Sequence, residues 1–235
     1  MLHRFAIFIL ATLCAVSCAN AQDAEQRLTI KLDADSTQAD GLNGAISFRG
    51  VRITQGDIYI RADEAHSSGL DFRNSTWTFQ GNVEFGARGT TVAATRAVLS
   101  FEEQELVSAA LTGAPVKFNQ GGTANVALES TTARLEFATS ALDKAYFTGQ
   151  PVTYVQAGAE LTTNARADSV FFDAGQSMVT LQDDAWIGEG AREIRGNRIT
   201  YNYIERSVVA ASNAEGDERV TITIAPPVRS EPPAP

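Results

Sequence analysis

Between Trp77 and Phe85 the chain alternates strictly. Trp77, Phe79, Gly81, Val83 and Phe85 share one parity, and Thr78, Gln80, Asn82 and Glu84 share the other. That is the two-residue period of a strand with one buried face. The phrase recurs as Phe48-Arg49-Gly50-Val51-Arg52-Ile53, Thr112-Gly113-Ala114-Pro115-Val116-Lys117-Phe118 and Thr148-Gly149-Gln150-Pro151-Val152-Thr153-Tyr154. A degenerate copy, Asp183-Asp184-Ala185-Trp186-Ile187, follows. The four glycines lie 31, 32 and 36 residues apart, a spacing that marks a stacked repeat. Each repeat reads as two strands. The partner of the glycine strand carries Ile/Val-x-Ala-Asp or a relative and then an aromatic, as in Ile58 to Asp63 leading to Phe72.

Polar turn material separates the strands: Arg73-Asn74-Ser75, Glu102-Glu103-Gln104, Ala138-Thr139-Ser140 and Asp173-Ala174-Gly175-Gln176. No stretch beyond the first residues sustains a helical period. The expected class is all-β, with bent antiparallel strands stacked as about five two-strand repeats into a β-jelly roll or β-solenoid. The bends are expected at the glycine phrases. In the longer copies parity shifts, because Leu111 and Gly113 are odd whereas Val116 and Phe118 are even, which predicts a β-bulge beside Pro115 and Pro151.

The start of the chain reads as an address. His3 and Arg4 precede the apolar run Phe5 to Val16, and Ala19-Asn20-Ala21 offers a small-x-small cleavage site. This predicts a signal peptide over 1–21, too short to span a bilayer as a helix, and export to the periplasm. Lipoprotein processing at Cys18 is the rival reading. Cys14 and Cys18 both lie in the leader, so the processed chain would hold no disulfide. Residues 22–227 then form one domain, and 228–235 a proline-rich mobile tail.

With Arg4 removed, 18 basic residues face 28 acidic ones, a charge of −10. Nucleic acid and simple adsorption to an anionic membrane are therefore poor partners. Catalytic material is thin. His66 is the one histidine after the leader and reads as a solvated turn residue in Asp63 to Gly69. Asp35, Asp63 and Asp168 recur after alanine, which suggests equivalent layers of a repeat rather than the paired acids of a glycosidase. Asp183-Asp184 near Glu189 lack the oxygen spacing of a calcium loop. Neither a metal nor a cofactor is expected, and the chain is not expected to be an enzyme.

What the pattern does supply is an apolar interior, in which large groups alternate with Ala, Gly and Thr. The residues expected to face it are Ile30, Leu32, Phe48, Ile53, Ile58, Ile60, Trp77, Phe79, Val83, Phe85, Phe101, Val116, Phe118, Phe137, Val152, Tyr154 and Phe172. Periodicity alone does not separate a packed core from an open lipid-binding trough.

The stretch Phe48 to Asp63, with Thr54-Gln55-Gly56-Asp57 at its centre, resembles the opening of the LptA (OstA-like) periplasmic lipopolysaccharide-transport proteins. Gly196-Asn197-Arg198-Ile199-Thr200-Tyr201, continuing to Glu218 through Pro226, is similar to their final repeat. The chain departs in lacking an Asn between Gly50 and Val51, and in carrying one or two extra repeats. The resemblance implies a long β-jelly roll whose interior residues hold lipopolysaccharide acyl chains. It also implies head-to-tail self-association and two partners, an LptC-type inner-membrane protein and the amino-terminal domain of the outer-membrane translocon. Two other readings stand beside it: a relative of the LptC or translocon type, and a secreted β-solenoid enzyme acting on polysaccharide.

An open stack ends in two edges that template pairing. Leu28, Ile30 and Leu32 mark the first, and Val220, Ile222 and Ile224 the last. Ten strands at ~4.8 Å each give a stack on the order of 50 Å long.

Overall fold

The computed structural model describes residues 29–40, 45–67, 72–122, 125–139, 141–159, 161–211 and 220–224. The expected leader, the tail and edge residue Leu28 lie outside them. Every regular element among the described residues is a strand, and all pair antiparallel in one sheet. β1 (Lys31–Asp33) and β2 (Ser36–Asp40) both pair with β3 (Ala45–Gln55). The sheet continues as a meander through β4 (Ile58–Ser67), β5 (Asn74–Ala87), β6 (Thr90–Glu102), β7 (Glu105–Gln120) and β8 (Val126–Ala138). Then come β9 (Ala141–Ala157), β10 (Thr162–Asp173), β11 (Met178–Glu189) and β12 (Arg192–Asn202). β13 (Ser207–Ala211) and β14 (Thr221–Ile224) both pair with β12.

The glycine phrases fall on β3, β5, β7 and β9, and the degenerate copy on β11. The hairpins β3–β4 through β11–β12 are therefore the five expected repeats. From the β4–β5 ladder to the β11–β12 ladder each pairing breaks register near its middle, and the breaks line up from layer to layer, while β3–β4 runs past Gly50 without a shift. On β7, Thr112 pairs with Thr132 and Val116 with Ser130, so Gly113, Ala114 and Pro115 span a step that Thr131 makes alone. The bulge is not confined to the longer copies. Gln80 pairs with Arg96 and Val83 with Ala94, so Gly81 and Asn82 together face Thr95. Both sit in the left-handed region, at φ 72° and 43°, as do Asp183 and Asp184 at 62° and 47°. Sequence parity hid this, because the bulge returns Val83 to the inner face on which Phe79 already lies.

The aligned bends make a corner, and they divide the sheet into two facing walls. Wall A holds the β5 segment 74–80, the β8 segment 132–138 and their equivalents; wall B holds 83–87, 126–130 and their equivalents. The inner faces meet through rings: Phe85 to Phe137 at 5.6 Å, Phe118 to Phe147 at 5.2 Å and Tyr154 to Tyr201 at 6.3 Å between centroids. Near the open side, wall B of one strand faces wall A of a strand about three later: β5 meets β8, β7 meets β10 and β9 meets β12. The twist of the sheet thus shears the two walls past each other along the stack. Each end therefore presents one wall without a full opposite number.

The edges are more divided than the sequence suggests. The first is two short strands, β1 on wall B and β2 on wall A, instead of one run through Leu32. The last likewise splits into β13 on wall A and β14 on wall B, and the sequence reading had missed β13. His66 lies near the end of β4, not in a turn, and its Nδ1 is 2.9 Å from Ser47 Oγ on β3.

Candidate functional site

The interior between the walls is continuous and apolar. Of the expected residues, Phe48, Ile53, Ile60, Trp77, Phe79, Val83, Phe85, Phe101, Val116, Phe118, Phe137, Val152, Tyr154 and Phe172 are buried in one cluster. Ile30, Leu32 and Ile58 are partly buried against it. Strand alternation carries this placement, since each inner residue is flanked by outer polar ones such as Thr78 and Gln80. Leu99, Leu111, Leu128, Leu135 and Phe147 are among the cluster's further members, on parities the pattern already implied. Phe72 was not foreseen as an interior group. It precedes β5 and stacks on Trp77 at 4.5 Å with an 8° interplanar angle.

The walls are closely packed. A void of about 20 Å³ lies between Ile53, Ile60, Phe72, Phe85 and Leu99, near the amino-terminal end. That is room for about one water, which needs ~10–15 Å³ of such space. No space large enough for a hydrocarbon chain is open at this section.

The open side, opposite the corner, is a mouth lined by turns, and polar contacts cross it near each end. Toward the amino terminus, Gln55 Nε2 donates to the Gln104 carbonyl at 3.4 Å. Toward the carboxyl terminus the contacts form a network. Gln156 Nε2 donates to the Tyr203 carbonyl at 2.9 Å, and Tyr201 Oη donates to Gln156 Oε1 at 2.7 Å. Arg206, in the β12–β13 turn, reaches Glu189, the Thr163 hydroxyl and the Leu161 carbonyl. Partial burial pushes the Glu189 carboxyl up, but the Arg206 guanidinium and Thr163 hydroxyl outweigh it and hold the group below the usual carboxylate range. Burial, with Tyr201 and Tyr203 nearby, pushes the Tyr154 hydroxyl far above its ordinary value. Nothing in the sequence pattern marked Gln156 or Arg206, because their roles exist only across the mouth.

The recurrent aspartates lie elsewhere. Asp35, Asp63 and Asp168 are exposed along the corner, one to a repeat edge. Asp63 Oδ2 accepts from Asn82 Nδ2 at 2.9 Å and packs over Gly81, and Asp35 packs over Gly50 in the same way. Asp183 Oδ1 accepts from Asn197 Nδ2 at 3.3 Å. Asp63 and Asp183 thus hold the bulges at Gly81-Asn82 and at Asp183-Asp184. Among the described residues, no three or more His, Cys, Asp or Glu side chains gather as a metal site, and no helix is long and apolar enough to cross a membrane.

No curated protein sequence matches the chain. Among solved structures it is similar to LptH, the LptA-homologous periplasmic component of the lipopolysaccharide transport device of Pseudomonas aeruginosa. The TM-score is 0.35 and the identity 16%, over 85% of this chain and 96% of that one. A family model described as LptA/(LptD N-terminal domain) LPS transport protein matches residues 64–206. With more than half of its length matched, the chain belongs to this lipopolysaccharide-transport family.

Proposed function

We propose that this protein is a periplasmic carrier that holds lipopolysaccharide acyl chains between its two walls and forms part of a bridge from the inner membrane to the outer membrane. The observation behind this is a single apolar interior that runs through all five repeats, with a strand edge at each end. Burying one ~12-carbon chain contributes ~10 kcal/mol, at ~0.8 kcal/mol per CH₂. Several fully buried chains would exceed the ~18–21 kcal/mol ceiling of non-covalent affinity and would not leave. A carrier therefore shields chains incompletely and offers similar surroundings from layer to layer. Similar repeats do this, and walls that must part to admit a chain limit the net affinity further.

A photo-crosslinker distinguishes inner from outer positions. Placed at Phe79, which is fully buried, it is expected to capture lipopolysaccharide; placed at the adjacent Gln80, on the outer face, it is not. Equal capture at both positions would overturn the trough reading.

The same reading places partners at the ends: an LptC-type inner-membrane protein, the amino-terminal domain of the outer-membrane translocon, and further copies of this chain head to tail. Two features support end-to-end pairing. The sheared walls leave each end one-sided, and β14 presents Ile222 and Ile224 at 63% and 70% exposure. A head-to-tail joint is heterologous and extends with concentration. Replacing both isoleucines with lysine puts charge on an edge strand without disturbing the interior. The double variant is expected to sediment as monomer at concentrations where the parent forms oligomers. A variant that associates like the parent would exclude β14 from the joint.

A further inference from the structure

Toward the carboxyl terminus the two walls are fastened by side chains that take no part in either wall's own ladder. Gln156 and Thr163 are buried on the inner face of wall B. Gln156 accepts from Tyr201 Oη at 2.7 Å and donates to the Tyr203 carbonyl at 2.9 Å, both carried by the wall A part of β12 and its turn. Arg206 enters from the same turn and sits in a socket on the opposite lip. Its guanidinium donates to the Glu189 carboxylate at the end of β11, to the Thr163 hydroxyl at 3.3 Å and to the Leu161 carbonyl at 3.4 Å. Thr163 in turn donates to Glu189 Oε1 at 3.0 Å. Gly158, just after β9, leaves the room for this arrangement, since a Cβ there would lie 2.5 Å from Arg206 Nη1.

Parting the walls has a different cost at the two ends. At the carboxyl end the groups released by Arg206 are polar and exchange one another for water, so the net loss is modest. The Arg206 and Glu189 side chains are already 36% and 31% exposed, so water reaches the pair while it is still made and weakens it. At the amino-terminal end, parting would strip the ring of Phe72 from Trp77 and Phe101, and that of Phe85 from Phe137. Apolar rings gain nothing from water in return. Local opening favours the place where the least apolar surface is uncovered.

We infer that the carboxyl-terminal mouth is a gate and Arg206 its bolt: the walls part at this end when the guanidinium leaves its socket, while the amino-terminal end stays shut. Gln156, Tyr201 and Tyr203 lie behind the bolt and separate after it. The gate follows from the packing of this chain alone. Its use as the way into the interior rests on the trough reading, to which it adds an end at which the interior opens.

The test reads how often each end opens. Ile60 and Ala165 lie in one cross-strand row on the inner face of wall B, toward opposite ends of the stack, at 3% and 4% exposure. Cys14 and Cys18 are the chain's only cysteines. With both changed to serine, Ile60→Cys or Ala165→Cys supplies a single thiol, and its rate of labelling by N-ethylmaleimide follows local opening. Ala165→Cys is expected to label several times faster than Ile60→Cys. Arg206→Gln is expected to speed labelling at 165 about three- to tenfold, the effect of one part-exposed charged contact, and to leave the rate at 60 unchanged. A rate at 165 no higher than at 60 in the parent overturns the gate. An unchanged rate at 165 in Arg206→Gln overturns the bolt, and rates raised alike at both positions, the sign of a stack loosened throughout, overturn it as well. No lipid enters the measurement, so the gate can fail while Phe79 still crosslinks lipopolysaccharide, and the trough can fail while the gate stands.

Discussion

Phe118→Ala is expected to lower the stability of the chain by about 3–5 kcal/mol, the usual loss for a large aromatic removed from a packed core. Phe118 is fully buried on wall B and touches Phe147 and Phe172 of wall A, at 5.2 and 5.9 Å between centroids. Its deletion removes wall-to-wall contact at two layers at once, and the strands on either side are tied into the ladder and collapse only partly. Phe118→Leu keeps most of the volume and is expected to lose less than about 1.5 kcal/mol. Val209→Ala, at a site 69% exposed, should stay within about 0.5 kcal/mol of the parent. Urea denaturation followed by circular dichroism reads all three. A loss below about 1 kcal/mol in Phe118→Ala would mean that the walls do not pack against each other at this section.

The second large effect is expected at the corner. Gly81→Ala places a Cβ on a residue at φ 72°, where an L side chain costs about 1–2 kcal/mol. The new atom also meets Asp63, whose Cβ and Cγ lie 3.0 Å from its position. Together these predict a loss of about 2–4 kcal/mol. The two contributions are separable. Asp63→Ala removes the carboxyl part of the obstacle and leaves its Cβ and the backbone strain, so the double variant is expected to be about 1 kcal/mol more stable than the sum of the singles. Additive losses would show that the bend at Gly81 is limited by backbone conformation alone.

This pairing of glycine with aspartate explains a repetition that chemistry would misread. An Asp covers the glycine of the neighbouring strand at the corner: Asp35 over Gly50, and Asp63 over Gly81 with its carboxylate held by Asn82. At the first two glycine phrases the acidic residue therefore fills the space that the missing side chain leaves; at Gly113 and Gly149 the space is filled by Pro115 and by Thr131 and Pro151 instead. A catalytic pair of carboxylates faces one substrate across a gap, whereas these are exposed and lie apart along the outside of a corner.

The interior also has a direction. Its amino-terminal half is aromatic, with Phe48, Phe72 and Phe79 gathered around Trp77. Its carboxyl-terminal mouth is crossed by Gln156, Tyr201, Tyr203, Thr163 and Arg206. Polar groups released from one another find water, whereas parted phenyl rings do not. The two ends of the stack therefore differ in what separating the walls exposes.

The amino-acid sequence by itself determined the class of fold, the number of repeats and the list of inward residues. All three follow from local rules: a strand alternates with period two, a glycine permits a bend, and a phrase that recurs every 31 to 36 residues must build equivalent layers. The bulge at Gly81 and Asn82 escaped that reading, because the inner parity is the same on both sides of it. Only the tertiary structure decided how far one wall slides past the other, since this depends on twist accumulated over many strands and leaves no trace in any single one. The same shear decided that Arg206 meets Glu189 and that Gln156 meets Tyr203. These contacts join residues from different strands across the mouth or from a turn to a wall. Their partners are chosen by the packing of the whole stack, not by any neighbour in the chain.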